Sequence, residues 1–181
     1  MSVSPAPSFP RVFRNVRDEL DGNTCGQAAI ATLLAYFSVP RFTDAAIDDA
    51  KAIDRVRDDF GPDVPLGFGT TAFRIAAALR HHGLEAEIVH SGAFASEIGR
   101  ACERLSAHLA RGISVPVCVV EGALGGPAWA AHWAVALRLE DGRIVLGNSI
   151  QATLELDRFL AAWRCRQLPW PHHHCAVLAE R

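Results

Sequence analysis

Residues 22–37 have the sequence GNTCGQAAIATLLAYF, and this stretch decides the predicted fold. A helix is predicted from Cys25 to Phe37, because apolar residues recur there at the spacing of one helical face. Asn23 and Thr24 precede it and are typical N-cap residues, and Pro40 ends the pattern. The apolar positions are Ala29, Ile30, Leu33, Leu34 and Phe37. We therefore expect a buried helix that begins with a cysteine.

The elements predicted beyond this helix change in type along the chain. Further helices are predicted at Thr43 to Asp58, Thr70 or Thr71 to Gly83, Ser96 to Arg111, and Leu154 to Arg164. Strands are predicted at Leu84 to His90, Ser114 to Glu121, His132 to Glu140, Arg143 to Gly147, and His174 to Glu180. Helices come first and antiparallel strands later, which is typical of the α+β class. We expect a flexible lead-in over residues 1–11 and a single domain over residues 12–181.

Composition and charge exclude several functions. With 181 residues, 18 Lys and Arg and 20 Asp and Glu, the net charge is −2 and gives no basis for nucleic-acid binding. The longest apolar run, Ala28 to Phe37, is too short for membrane insertion, and the first ten residues lack signal-peptide features. We therefore expect a cytoplasmic protein. Five cysteines without a CxxC pair argue against a disulfide framework or zinc ribbon, and no cofactor is expected. The oligomeric state is left open.

Cys25 is the strongest candidate for chemistry. It is placed at the predicted start of the first helix. The unpaired N–H groups and positive dipole end of a helix N-terminus favour a thiolate, which is the nucleophilic form of cysteine. The alternative is that Cys25 is a small core residue in the first turn of the helix.

His132 and Asn148 are the candidate partners of this thiol. His132 lies nine residues before the predicted Asp141-Gly142 turn, and Asn148 lies six residues after it. This spacing places both near one end of the sheet on neighbouring strands, where the Asn side-chain oxygen could accept a hydrogen bond from the imidazole. The alternative is a core histidine and an asparagine that serves only the turn.

Other conspicuous residues are predicted to be structural. His172, His173, His174 and Cys175 are adjacent, but neighbouring strand residues point to opposite faces, so no metal site is predicted. Cys102 and Cys118 are expected in the core, and Cys165 at the surface. Gly122, Gly125 and Gly126 suggest a mobile flap, because they do not precede a helix as a phosphate-binding loop would.

The ordered set of cysteine, histidine and asparagine resembles the papain-like cysteine peptidases. It is most similar to the bacteriocin-processing, double-glycine leader peptidases and their stand-alone relatives. The resemblance covers most of the chain, through segments 23–30 (NTCGQAAI), 131–137 (AHWAVAL), 144–149 (IVLGNS), 156–163 (LDRFLAAW) and 175–178 (CAVL). It implies a papain-like fold in which the cysteine helix packs on an antiparallel sheet.

The resemblance also implies roles for individual residues. Cys25 is then the nucleophile, His132 the general base and acid, and Asn148 the residue that orients the imidazole. The expected activity is hydrolysis of a peptide or amide bond in a peptide or protein substrate, through a thioester. Trp129 and Trp133 flank His132 and are candidates to line the substrate groove, with core packing as the alternative for both.

Two positions depart from the family pattern. Glu19 stands where the family has a glutamine that donates to the oxyanion, and a carboxylate cannot donate unless it is protonated. Asn23 or the Cys25 backbone N–H could substitute for it. Asn148 stands where the leader peptidases commonly have aspartate. Three alternatives stay open: an acyltransferase or peptide-bond-forming enzyme with the same triad, a non-catalytic peptide-binding domain, and a secreted or injected effector.

Overall fold

The computed structural model describes residues 11–15, 24–60, 70–91, 95–127, 130–163 and 173–181. The helices are α1 (Cys25–Tyr36), α2 (Asp49–Phe60), α3 (Ala72–His81), α4 (Ala95–Ala110) and α5 (Leu156–Trp163), with 3₁₀ turns at Pro40–Phe42 and Glu121–Leu124. The strands are β1 (Glu85–Ser91), β2 (Val115–Val120), β3 (Ala131–Glu140), β4 (Arg143–Gly147), β5 (Thr153–Glu155) and β6 (His173–Glu180). Among the described helices, none is long and apolar enough to cross a bilayer.

The strands form one antiparallel sheet in the order β1-β6-β2-β3-β4-β5. Helices cover both faces, because strand side chains alternate between two apolar clusters. Trp133 and Val135 pack in the cluster that holds α1, α2 and α3. Ala134 and Ala136 pack in the opposite cluster with α4 and α5. The predicted α+β class, with the cysteine helix packed on an antiparallel sheet, is confirmed.

α1 is the buried centre of the first cluster. Every residue from Cys25 to Leu34 is buried. The N-cap position is Thr24, as predicted, although its side chain makes no capping hydrogen bond. The segment 11–15 also packs against this helix, since Phe13 is fully buried and its N–H donates to Thr32 Oγ1 at 3.0 Å. Segment 11–15 is thus packed into the core of the domain.

Two helices begin later than predicted. An aspartate cap explains the start of α2, and strand pairing explains the start of α5. α2 begins at Asp49 rather than Thr43, because the Asp48 side chain accepts the Lys51 N–H at 2.8 Å and caps the helix. α5 begins at Leu156 rather than Leu154. Residues Thr153–Glu155 instead extend the sheet as β5, with Leu154 paired to Ile144 of β4.

Pro116 lies near the start of β2, which runs inside the sheet between β6 and β3. Pro116 pairs with Val135 of β3, and the registered pair with β6, Val117 with Ala176, comes directly after the proline. A proline near the start of a strand is tolerated because few ladder bonds have begun there.

Candidate active site

Cys25 is the first residue of α1 and is 1% exposed. Its Sγ accepts a hydrogen bond from the backbone N–H of Trp133 at 3.4 Å. The sulfur therefore lies at the N-terminus of a helix and against the backbone of β3. A donor to the sulfur and the positive end of a helix both favour the thiolate form.

His132 lies next to Trp133 on β3, and its side chain is 7% exposed. Its Nδ1 is 3.2 Å from a carboxyl oxygen of Glu121. Its Nε2 contacts the backbone carbonyl oxygen of Asn148. Both ring nitrogens thus face oxygen acceptors, and a ring can donate to two acceptors only when both nitrogens carry a proton.

Asn148 follows β4 and connects the other two residues. Its side-chain Nδ2 donates to the carbonyl oxygens of Trp133, at 3.1 Å, and of Cys25, at 3.4 Å. Its Oδ1 accepts the backbone N–H of Asn15 at 2.8 Å. The sequence predicted that this side-chain oxygen would meet the imidazole. Instead the side chain bonds backbone groups and the Asn148 carbonyl meets the ring, because φ of 51° turns the chain sharply there.

The structure brings Cys25, His132 and Asn148 together. The backbone N of Trp133 is only about 2.4 Å from the Cα of His132, so Sγ of Cys25 lies within about 6 Å of that Cα. The fold therefore places a thiol, an imidazole and an amide side chain at the junction of α1, β3 and β4.

The other predicted site residues have different outcomes. Trp133 is 2% exposed and its indole N–H donates to the Thr70 carbonyl at 2.6 Å, so the prediction that it lines a substrate groove is wrong. As the neighbour of His132 on a strand, it points to the opposite face, into the core. Glu19, Asn23 and Trp129 lie outside the described residues.

Glu121 is the site residue that the sequence analysis missed. Val119 pairs with His132, and side chains alternate along β2, so residue 121 faces the same side as His132. Glu121 could have been found only from the register between β2 and β3, which the residue pattern alone does not supply. The glycines expected in a mobile flap instead belong to the 3₁₀ turn that begins at Glu121 and to the bend after it.

A cleft of about 790 Å³ opens beside this cluster. The residues that line it include polar and apolar side chains. The polar ones include Glu121, His132, Asn148 and Arg14, and others come from β4 and the segment after it. Cys25 is not among the described residues that line it. His132 and Asn148 thus line the cleft, whereas Cys25 does not.

The remaining cysteines that the structure describes are buried or partly buried. Cys118 and Cys175 are buried in the core, and Cys165 and His172 lie outside the described residues. Cys102 is half-buried, and burial raises the pKa of its thiol. In the described part of the chain, no group of three His, Cys, Asp or Glu residues is placed to hold a metal ion.

Solved structures with the same architecture are peptidase domains. The peptidase domain of Streptococcus ComA, a bifunctional ABC transporter involved in a quorum-sensing pathway, matches with a TM-score of 0.60 at 14% identity, over 94% of this chain and 97% of that chain. The double-glycine-motif protease of an AMS/PCAT transporter, solved with its leader peptide, gives a TM-score of 0.57 at 15% identity, over 96% and 94% of the two chains. A C39-like peptidase from Bacillus anthracis gives 0.60 at 12% identity, over 93% and 94%.

These structural matches have low sequence identity, between 12% and 15%. No family model matches the chain, and no curated protein matches it significantly. The structural likeness spans almost the whole chain in each case. The fold is therefore the papain-like fold of the double-glycine leader peptidase domains, as the sequence resemblance implied.

Proposed function

We propose that this protein is a cysteine peptidase that acts on a peptide substrate, with Cys25 as nucleophile and His132 as base. The observation that carries the proposal is the position of the thiol. Its sulfur lies at the N-terminus of α1 and accepts a hydrogen bond from the backbone of β3, the strand that carries His132. The fold supports it, because structures of this architecture include a double-glycine-motif protease solved with a leader peptide. A leader-like peptide is accordingly the proposed substrate.

In the proposed mechanism the Cys25 thiol gives its proton to His132, and the sulfur attacks the scissile carbonyl carbon. The carbonyl π electrons move to the oxygen, and the backbone N–H of Cys25 at the helix N-terminus is the proposed donor to that oxyanion, with Asn23 as a further candidate. When the tetrahedral intermediate collapses, the C–N bond breaks and the imidazolium protonates the departing amine. Water then hydrolyses the thioester and regenerates the thiol.

Asn148 supports this machinery through two kinds of contact. Its carbonyl oxygen meets the His132 ring, and its side chain joins the backbone of Cys25 to that of Trp133. The thioester could also react with an amine, in which case the same residues form a peptide bond. The two activities differ only in which acceptor enters the cleft. The required thiol chemistry suits the reducing cytoplasm, which is the proposed location.

The first experiment measures alkylation of Cys25 by iodoacetamide at pH 6, mapped by mass spectrometry. We expect Cys25 to react much faster than a free thiol, and His132→Ala to lower its rate by about 10²-fold or more. Cys102 in the same digest is an internal slow control, because burial raises its pKa. His90→Ala is the matched control, since His90 is exposed on β1.

A second experiment tests the substrate. Synthetic peptides that end a leader-like segment with Gly-Gly are incubated with the protein and with Cys25→Ser. Cleavage after the glycines by the wild type alone supports a leader peptidase. Addition of an amine acceptor to the new end, in place of hydrolysis, would instead support acyl transfer.

One observation favours a second function, a non-catalytic domain that binds a peptide in the cleft. Cys25 is 1% exposed, so a substrate carbonyl reaches it only if neighbouring groups move. Under this alternative, Cys25 of the wild type alkylates no faster than it does in His132→Ala. A double-glycine peptide would then bind without being cleaved.

A further inference from the structure

We propose that Arg14 is a specificity-determining residue, which selects a peptide substrate with an aspartate or glutamate close to the scissile bond. This inference rests on the proposed peptidase function and deepens it, because it names a class of substrate. Its basis is the position of Arg14, an exposed residue that lines the cleft together with His132 and Asn148.

The chain that carries Arg14 is fixed to the domain on both sides of that residue. Phe13 is fully buried, and its N–H donates to Thr32 Oγ1 at 3.0 Å. The Asn15 N–H donates to Asn148 Oδ1 at 2.8 Å. Both backbone neighbours of Arg14 are thus held by the body of the protein, so its side chain extends from a fixed point beside the cleft.

The two arginines of segment 11–15 have different surroundings. The Arg11 guanidinium donates to the carbonyl oxygens of Asp44, at 3.1 Å, and of Ala45, at 3.2 Å, and it lies 4.9 Å from the centre of the Phe13 ring. Its donors are therefore used to hold the segment in place. The Arg14 side chain lines the cleft instead, where a substrate can reach its donors.

The charges that line the cleft favour a negatively charged ligand group at Arg14. Among the described lining residues, Arg14 and Glu121 are the strongly ionisable ones, and the Glu121 carboxyl group lies 3.2 Å from Nδ1 of His132. Across the part of the chain that the structure describes, the Arg14 guanidinium takes part in no ion pair. A guanidinium binds a carboxylate through two parallel hydrogen bonds, so an acidic side chain of the substrate is the matching partner.

The contacts of Asn148 limit how far this acidic residue lies from the bond that is cleaved. Its Nδ2 is 3.4 Å from the carbonyl oxygen of Cys25, and its Oδ1 is 2.8 Å from the backbone N of Asn15. Because Nδ2 and Oδ1 belong to one amide group, the N of Asn15 lies within about 9 Å of that carbonyl oxygen. An extended peptide advances about 3.3 Å per residue. Allowing for the length of the arginine side chain, we expect the carboxylate within about five residues of the scissile bond.

The test measures binding and cleavage separately. Fluorescent synthetic peptides carry a central Gly-Gly pair and a single Glu at one of the five positions before or after it, and matched peptides carry Gln or Lys at the same position. Binding is measured by fluorescence anisotropy in a Cys25→Ala background, and cleavage is measured with the thiol intact. The variants are Arg14→Gln, Arg14→Lys and Arg14→Glu, and Arg100→Gln, at an exposed site on α4, is the matched control. Circular dichroism verifies that each variant is folded.

We expect at least one Glu peptide to bind about 3- to 10-fold more tightly than its Gln counterpart, and the matching Lys peptide to bind more weakly than both. Arg14→Gln removes this preference, Arg14→Lys keeps part of it because lysine lacks the planar fork, and Arg14→Glu reverses it toward the Lys peptide. Arg100→Gln keeps the preference. Equal binding of the Glu, Gln and Lys peptides at every position, binding of none of them, or a Glu preference that persists in Arg14→Gln overturns the inference.

The two proposals fail in distinguishable ways. If the Glu peptides bind more tightly through Arg14, but the intact thiol cleaves none of them and alkylates like a free thiol, the peptidase function fails and the role of Arg14 stands. If the protein cleaves the Glu, Gln and Lys peptides with equal kcat/KM, and Arg14→Gln does the same, the function stands and the role of Arg14 fails.

Discussion

Replacement of Gly26 by alanine tests the packing beneath the nucleophile. Gly26 is the second residue of α1, and a Cβ there would lie 2.1 Å from Oγ1 and 2.2 Å from Cβ of Thr70. Thr70 is 3% exposed, and its carbonyl accepts the Trp133 indole N–H at 2.6 Å. The threonine therefore has little room to move away from an added methyl group.

The expected magnitude follows from two opposing terms. An ordinary carbon contact is about 3.5 Å or more, so the added methyl overlaps Thr70 by more than 1 Å. Overpacking of this kind costs about 1–3 kcal/mol or more, while alanine gains about 1 kcal/mol over glycine inside a helix. Because Thr70 is tied to Trp133, we take the upper part of the range and expect Gly26→Ala to lower the free energy of unfolding by about 2 kcal/mol.

Urea unfolding followed by circular dichroism measures this change. With a slope of about 2 kcal/mol per M, the midpoint falls by about 1 M. The matched control is Gly99→Ala in α4, where an added Cβ has nothing within 4 Å and the midpoint rises slightly. Thr70→Gly in the same chain relieves the overlap, so the double variant is more stable than additivity predicts. A midpoint for Gly26→Ala equal to or above the wild type would refute the reasoning.

Three further predictions concern other parts of the fold. Trp133→Phe leaves the Thr70 carbonyl without its indole donor, so the free energy of unfolding falls by about 1–3 kcal/mol in urea titrations, and a shift under 0.5 kcal/mol would contradict the contact. Burial lowers the pKa of His82 below its ordinary value of 6.5, so the unfolded chain binds a proton at this residue more readily than the folded chain does. The urea midpoint should therefore fall as the pH drops from 6.5, and it should fall less in His82→Asn. Thr71→Ala removes the acceptor of the Arg74 N–H at the start of α3, which we expect to lower the melting temperature by a few degrees, whereas Thr71→Ser should not.

Local patterns in the sequence predicted the elements that local physics determines. α1 was found because its apolar spacing is unbroken, and the β3–β4 hairpin because Asp141 and Gly142 both tolerate positive φ, which is 48° and 74° in the structure. The start of α2 was misplaced because Asp48 caps a helix that apolar spacing alone would extend backwards. β5 was missed because three residues carry too little pattern to indicate a strand.

In the candidate site, too, the sequence predicted the residues but not the contacts between them. Cys25, His132 and Asn148 could be selected as polar residues at the ends of predicted elements, and the structure places them side by side. Their contacts could not be selected, because these depend on strand register and on one residue with positive φ. Glu121 becomes a partner of His132 only once Val119 is known to pair with that histidine. Trp133 could have been assigned to the core, since adjacent strand residues face opposite sides.

The distribution of donors and acceptors around Cys25 and His132 supports the proposed mechanism. The sulfur of Cys25 receives a backbone N–H and lies at the positive end of α1, so its surroundings supply donors. The ring of His132 faces a carboxyl oxygen and a carbonyl oxygen, so its surroundings supply acceptors. In the proposed mechanism the thiol proton moves to the ring, which leaves a donor beside the sulfur and acceptors beside the ring. Two of these neighbours are backbone groups, the N–H of residue 133 and the carbonyl of residue 148. The third is the carboxyl group of Glu121.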